Sequence, residues 1–422
     1  MTAISMLIDG RAVAAANGAV FERRNPLDRR VTTPAPSATP DEARAAVDAA
    51  ARAFPAWSAM GPGERRALLL KAAHALEAKA EAFAAAMARE TGASGLWAGF
   101  NVHLAAGMFT EAASLTTQID GQVIPSDVPG SLSMAVRQPA GVVLGIAPWN
   151  APVILGVRAV ATPLACGNTV VLKGSEISPA THGLIIEALQ EAGLPPGVVN
   201  FVTNAPQDAA AVVEAMVAHP AVRRVNFTGS TRVGKLIAQT CAAHLKQVVL
   251  ELGGKAPLIV LDDADIDAAV NGAAFGAFAN SGQICMSTER IVVDRKVADA
   301  FVARLADKAA SLPLGDPRQG PVVLGSVVDM ATVQRCNALI DDALAKGAKL
   351  VIGGRAGSTL MPATLIDHVT PDMRIYHEET FAPVKAIVRV DGEDEAVRVA
   401  NDNEFGLSAA GVGRDVARAM DV

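Results

Sequence analysis

The chain has 422 residues, 51% of them hydrophobic but only 4% aromatic, so its apolar mass is aliphatic and small. That composition excludes a disordered or collagen-like chain, and at this length it predicts two or three domains of helices packed on aliphatic strands, as in a soluble α/β enzyme. With 37 basic against 43 acidic residues, a net charge of −6 and no basic run, nucleic acid is not expected as a main partner.

Residues 1–11 hold no basic segment followed by a sustained apolar one, so no signal peptide is expected. The four cysteines, Cys166, Cys241, Cys285 and Cys336, are too few for a disulfide framework in so long a chain. Both features predict a cytoplasmic protein. Asp41-Glu42-Ala43-Arg44 opens an alanine-rich helix that Gly61-Pro62-Gly63 breaks, and helical spacing of apolar residues predicts one further helix over 64–91. After Gly92-Ala93-Ser94-Gly95 a third helix carries Trp97 and Phe100, and 119–138 reads as short extended pieces.

The positive mean hydropathy of +0.30 makes a membrane span worth testing, and 138–157 carries no formal charge. Pro139, Pro148, Asn150 and Pro152 interrupt that window and Arg158 follows it, which a single apolar helix would not tolerate. Strand, loop and buried helix fit better, and no membrane span is expected. From Gly141 the chain alternates: strand 142–146, helix 152–165, strand 169–172, helix 181–191, strand 198–202, helix 207–218, strand 224–227, helix 231–243 and strand 247–250. Short, continuously apolar strands separated by helices predict a parallel sheet covered on both faces. A second series begins at strand 257–261 and continues with helix 265–280, strand 291–293, helices near 296–311 and 329–346, and strands near 384–390 and 408–412. The segmentation is therefore two interleaved parallel-sheet α/β domains that meet near residue 252.

A dinucleotide site in such a sheet belongs at strand C-terminal ends, with the phosphates near a helix N-terminus. The first βα turn lacks G-x-G-x-x-G, but Phe227-Thr228-Gly229-Ser230-Thr231 follows a strand and opens a helix. Gly229 would admit a phosphate, Ser230 could donate a hydroxyl and Thr231 is placed to cap; an ordinary capped αβ turn would look the same. Lys173 and Glu176 follow strand 169–172, where a carboxylate accepts from both hydroxyls of a ribose and repels a 2′-phosphate, favouring NAD over NADP. A solvated loop pair is the plain alternative.

Cys285 lies in Asn280-Ser281-Gly282-Gln283-Ile284-Cys285, a small-residue turn able to supply access and backbone donors to a thiolate. The other three cysteines sit in apolar or helical surroundings and read as small core residues. Glu251 ends an apolar strand in Leu250-Glu251-Leu252-Gly253-Gly254-Lys255, and a carboxylate projecting from a strand end expected to be buried suits a general base, or an ion pair with Lys255. Asn150, after strand 142–146 in Ala147-Pro148-Trp149-Asn150, could donate its amide to an oxyanion or cap a turn. No metal-ligand spacing is present. Together these residues supply a nucleophile, a base, an oxyanion donor and a nucleotide cradle.

In five ordered motifs the sequence resembles the aldehyde dehydrogenase superfamily: Pro148-Trp149-Asn150, Phe227-Thr228-Gly229-Ser230, Glu251-Leu252-Gly253-Gly254-Lys255, Gly282-Gln283-Ile284-Cys285 and Glu378-Glu379-Thr380-Phe381-Ala382-Pro383. Asn150–Arg158 and Leu164–Thr169 look like its salicylaldehyde, vanillin and benzaldehyde branch. The resemblance implies a Rossmann-like NAD domain over 1–118 and 139–252, a catalytic domain over 253–422 and an oligomerisation arm at 119–138. It implies Cys285 as nucleophile, Asn150 as oxyanion donor and Glu251 as the activator of hydrolytic water. It further implies cofactor contacts from Ile146, Trp149, Lys173, Glu176, Gly229, Ser230, Leu252, Glu379 and Phe381, with NAD the cofactor and NADP less favoured.

An aromatic aldehyde is the implied substrate, bordered by Trp97, which could stack on a ring, and by Arg158, read either as a substrate contact or as a buried ion pair. An aliphatic aldehyde or semialdehyde is the alternative substrate, and a non-catalytic NAD-binding protein the alternative class. Two residues depart from the family pattern, Gly174 for proline before Ser175 and Ala382 for glycine after Phe381. Family members also continue for several dozen residues beyond the position of Val422, with a loop walling the substrate tunnel and a strand that pairs across a homodimer.

Overall fold

The structure, a computed structural model, describes residues 4–422, so the first three residues of the segment read for a signal peptide lie outside it. The chain folds into two units. One holds the described residues 4–24, 30–90 and 98–251, and the other 25–29, 91–97 and 252–422. Two short segments from the N-terminal part of the chain, 25–29 and 91–97, thus fold with the second unit.

The first unit is built on a seven-stranded sheet. Its five parallel strands lie in the spatial order Gln247–Glu251, Val222–Thr228, Val142–Ile146, Thr169–Lys173 and Val199–Val202. Met6–Ile8 and Arg11–Val13 extend it antiparallel. Chain order reverses between Val142–Ile146 and Val222–Thr228, and crevices for ligands open at such reversals, outside the strand C-termini. The strands Val142–Ile146 and Thr169–Lys173 are buried at every residue because helices cover both faces, which explains their unbroken apolar runs.

Helix Pro152–Ala165 starts with proline at its first position, where the missing N–H costs nothing. The single helix expected over 64–91 is two, Pro62–Glu77 and Ala80–Glu90. No glycine or proline marks the break. Packing decides it, since both pieces contact helix Pro179–Glu191 and bury Leu69 and Leu76 in one piece, Phe83 and Met87 in the other. Residues 119–138 form a hairpin of Gln122–Ile124 and Ser133–Ala135 that leaves Val123, Val128, Leu132 and Met134 exposed.

The second unit carries a six-stranded sheet in the order Lys349–Ile352, Thr364–Asp367, Val384–Val390, Arg290–Asp294, Pro257–Val260 and Ala410–Val412. All neighbours are parallel except the first pair. Val384–Val390, Arg290–Asp294 and Pro257–Val260 are adjacent, so the three loops that enter their N-terminal ends lie side by side. Those loops contain Glu379 to Phe381, Cys285 to Glu289, and Gly253 to Lys255. Among the described residues no helix is long and apolar enough to cross a membrane.

Candidate active site

In the first unit the expected nucleotide residues gather at the strand C-termini beside the reversal. Ile146 pairs in register with Lys173 on one side and Phe227 on the other, and Thr228 with Glu251. Gly229 follows directly and donates its N–H to the Glu251 carbonyl at 3.0 Å. A methyl group on Gly229 would fall 2.5 Å from the Phe227 ring, so glycine is what lets the backbone pass there. The N-cap of helix Thr231–Ala243 is Ser230, whose Oγ accepts the Val233 N–H at 3.4 Å, and not Thr231 as expected. The Ser230 hydroxyl proton is thereby left for an anion at a helix N-terminus.

Lys173 is buried and pairs with Glu176 Oε1, and Asn204 donates to the same oxygen at 2.9 Å. Burial by itself would raise the Glu176 carboxyl, but the Lys173 ammonium and these hydrogen bonds outweigh it and hold the group below its usual range. A charged carboxylate with acceptor capacity to spare suits a ribose diol. His182 stands behind this loop, accepting the Ser175 N–H at 3.0 Å through Nδ1. Burial, aided by the Lys173 charge, lowers it to about 4, so it is neutral. The residue in place of the family's proline, Gly174, abuts the Phe201 ring, 2.7 Å from where a methyl would sit.

Two expectations for this unit need correction. Gln247–Glu251 is an edge strand with Val249 exposed, so Glu251 projects from a partly exposed strand end and not a buried one. Arg158 sits on an otherwise buried helix face, yet no carboxylate lies within ion-pair distance of it among the described residues. Its Nη2 donates instead to Thr228 Oγ1 at 3.1 Å, so the buried ion pair is absent. Asn150 is buried, and the N-cap of the following helix is Ala151. Trp149 precedes it and is partly exposed.

In the second unit Cys285 is partly exposed in the loop between helix Ile266–Phe278 and strand Arg290–Asp294. The preceding turn is left-handed at three successive residues, Asn280, Ser281 and Gly282, two of which bear side chains. Gln283 locks it, donating to the carbonyls of Asn280 at 3.1 Å and Ser326 at 3.2 Å and accepting the Val328 N–H at 2.9 Å. Strain held this firmly is typical of reactive loops. Burial raises the thiols of Cys166 and Cys241, and that of Cys336 to about 11, which leaves those three unreactive at neutral pH.

Leu252 and Gly253 lead into the neighbouring loop. The Gly254 N–H donates to Glu379 Oε1 at 2.9 Å, and burial raises the Glu379 carboxyl. Phe381 has φ 45°, unusual for a side-chain-bearing residue. Lys255, read as a partner for Glu251, pairs instead with Glu289 at 2.8 Å. Trp97 is buried near the start of helix Gly95–Leu115. Sequence reasoning passed over Glu289 and Lys385, although a lone charge beside or inside an apolar strand signals a compensated buried pair.

The first unit's donor set fits a dinucleotide: a glycine-lined helix N-terminus for pyrophosphate and a lysine–carboxylate pair for a ribose. The second unit offers a thiol on a rigid loop next to a buried carboxylate. A nucleotide-type sheet in one unit and a loop-borne thiol in the other are parts that an oxidoreductase uses. Residues 13–422 match the sequence profile of the aldehyde dehydrogenase family, and the chain belongs to that family, whose members oxidise aldehydes with NAD or NADP.

Among its relatives is a vanillin dehydrogenase from Pseudomonas sp. (strain HR199 / DSM 7063), 61% identical over 419 residues, which are 99% of this chain and 87% of the relative. A salicylaldehyde dehydrogenase from Pseudomonas sp. (strain C18) is 53% identical over 99% of this chain and 86% of its own length. The crystal structure of a salicylaldehyde dehydrogenase from Pseudomonas putida G7, complexed with salicylaldehyde, superposes with a TM-score of 0.98 at 52% identity. That match covers 100% of this chain and 87% of the other.

Proposed function

We propose that the protein oxidises an aromatic aldehyde of the salicylaldehyde, vanillin or benzaldehyde type to its carboxylic acid, using NAD in preference to NADP. The observation that carries the substrate class is identity above 50%, spread over nearly the whole chain, to dehydrogenases named for vanillin and salicylaldehyde. Arg158 supports it from the chemistry. A guanidinium without a carboxylate partner on a buried helix keeps donors for a ring hydroxyl or the product carboxylate. Trp97 would stack on the ring.

Cys285 attacks the carbonyl carbon as a thiolate; the C–S bond forms as the carbonyl π bond breaks. Asn150 and the Cys285 N–H donate to the oxyanion so produced, and fixed donors of this kind each contribute a few kcal/mol to the barrier reduction. NAD held by the residues named below would supply the hydride acceptor for the hydrogen on that carbon, and Cys285 would then keep the acyl group as a thioester. Glu251 removes a proton from the water that attacks the thioester, releasing the acid and the thiolate. A glutamate at this position favours water over coenzyme A as acyl acceptor.

Lys173 and Glu176 hold the adenosine ribose, Gly229 and Ser230 the pyrophosphate, and Glu379 the nicotinamide ribose. Ile146, Trp149, Leu252 and Phe381 line the remainder. The preference for NAD rests on Glu176, whose charge, sustained by Lys173, would repel a 2′-phosphate. The same reading takes the enzyme to be cytoplasmic, and a homodimer joined through 119–138 where the family's strand beyond the position of Val422 completes the pairing; the apolar residues that the hairpin exposes support that pairing.

The test is NADH formation from salicylaldehyde, vanillin, benzaldehyde and hexanal, with Cys285→Ala alongside. Turnover of the three aromatic aldehydes well above hexanal, abolished in the variant, is expected. Preference for hexanal assigns an aliphatic substrate. No turnover by folded protein would leave a non-catalytic NAD-binding chain.

A further inference from the structure

We propose that Glu289 is a positioning residue for the cofactor, its buried carboxylate holding Glu379, Thr380 and Phe381 in the one turn that presents Glu379 and Phe381 to the nicotinamide half. The proposal rests on the assignment of Glu379 and Phe381 to that half.

Glu289 is buried, just before strand Arg290–Asp294. Its carboxylate accepts the Thr380 N–H at 2.9 Å, the Thr380 hydroxyl at 2.7 Å and the Phe381 N–H at 3.1 Å. The Arg335 guanidinium donates to the Thr380 carbonyl at 2.7 Å, so donor, acceptor and hydroxyl of Thr380 are all engaged. Phe381 is left-handed without being glycine, and surroundings must hold a residue in that conformation. The hydrogen bond that its own N–H donates to Glu289 is such a restraint.

Two ammonium groups complete the cluster. Lys255 Nζ lies 2.8 Å from Glu289 and donates to the Glu378 carbonyl at 2.6 Å, and Lys385 Nζ lies 3.3 Å from Glu289. One carboxylate therefore ties together the loops entering three adjacent strands. Lys255 is next in sequence to Gly254, which holds Glu379 from the other side, so the Glu379 carboxylate is braced through both its own turn and its partner's. Burial opposes ionisation of Glu289, but the lysines prevail and depress it to about 2, so the clamp is charged at neutral pH. A neutral amide in its place would face donors with half the acceptor capacity.

The test uses the full chain and reads binding besides turnover: NADH by fluorescence titration and AMP by calorimetry, for wild type, Glu289→Gln and the double variant Glu289→Gln/Lys385→Met. Glu289→Gln is expected to weaken NADH by about tenfold or more, to leave AMP within about twofold, and to raise KM for NAD more than it lowers kcat. The double variant restores the cluster's net charge, and so separates clamping from stability. It should recover thermal stability without recovering NADH affinity. Recovery of both, or equal weakening of AMP and NADH, would make Glu289 merely structural and overturn the proposal. Unchanged NADH affinity in Glu289→Gln overturns it while sparing the NAD assignment, whereas wild type that binds no NADH overturns both.

Discussion

The Gly254 N–H is 2.9 Å from Glu379 Oε1, and a methyl group on Gly254 would lie 2.5 Å from the carbonyl oxygen of Cys285. One glycine thus separates the buried carboxylate from the loop that carries the thiol. Because the obstructing atom is backbone, Gly254→Ala cannot be absorbed by a rotamer change and must move the Cys285 loop. A displacement of about 1 Å in a reacting group costs about 10²-fold in rate. We expect kcat/KM to fall by about that factor with the circular dichroism spectrum unchanged; undiminished activity would mean the loop has slack.

Glu251→Gln should separate the two halves of the reaction. The variant is expected to release about one NADH per site in a burst and then slow by 10²-fold or more, the contribution of a general base. Intact mass spectrometry should find the acyl group on Cys285. A variant with no burst would assign Glu251 to an earlier step.

Arg158→Ala tests substrate choice. The structural tie to be lost is its hydrogen bond to Thr228, so folding should survive. A charged hydrogen bond to the substrate is worth about 1.5–3 kcal/mol, so kcat/KM for salicylaldehyde should fall more than tenfold further than for benzaldehyde. Equal losses on the two substrates would remove Arg158 from specificity.

Stability should decline on the acid side in two stages. His182 sits near 4 in the folded chain against its ordinary 6.5, through burial and the Lys173 charge. Glu289 sits near 2 against 4.5, burial being outweighed by Lys255 and Lys385. Both values are depressed, so the unfolded chain binds more protons than the folded one. Stability from these groups is full above about pH 6.5, is lost for His182 down to about 4 and for Glu289 from about 4.5 to 2, on the order of 3 kcal/mol each. Urea midpoints measured from pH 8 to 4 should trace the first stage, and His182→Gln should flatten it; a slope unchanged in that variant would exclude His182 as its source.

Most strands of both sheets were legible because buried parallel strands are unbroken apolar runs bounded by turn residues, as at Val142–Ile146 and Thr169–Lys173. Short pieces such as the mostly buried Met6–Ile8, the partly exposed Lys349–Ile352 and the buried Thr364–Asp367 were not, since the pairing that makes them strands comes from neighbours elsewhere in the chain. The break between Pro62–Glu77 and Ala80–Glu90 was hidden for the same reason.

The sequence by itself determined which residue types chemistry could draw on: a cysteine in a small-residue turn, a glutamate at a strand end, an asparagine after one, and a Gly-Ser turn opening a helix. Local composition sufficed there, because turns and strand ends announce themselves within a few residues. Only the tertiary structure decided who holds these groups in place. Lys255 could not be matched to Glu289 rather than Glu251 by nearness in sequence, nor Thr380 and Phe381 to a carboxylate about ninety residues away. Those pairings arise because parallel β-strands bring loops together at one end of a sheet regardless of their separation in the chain, and buried charges then take whichever partners that sheet supplies.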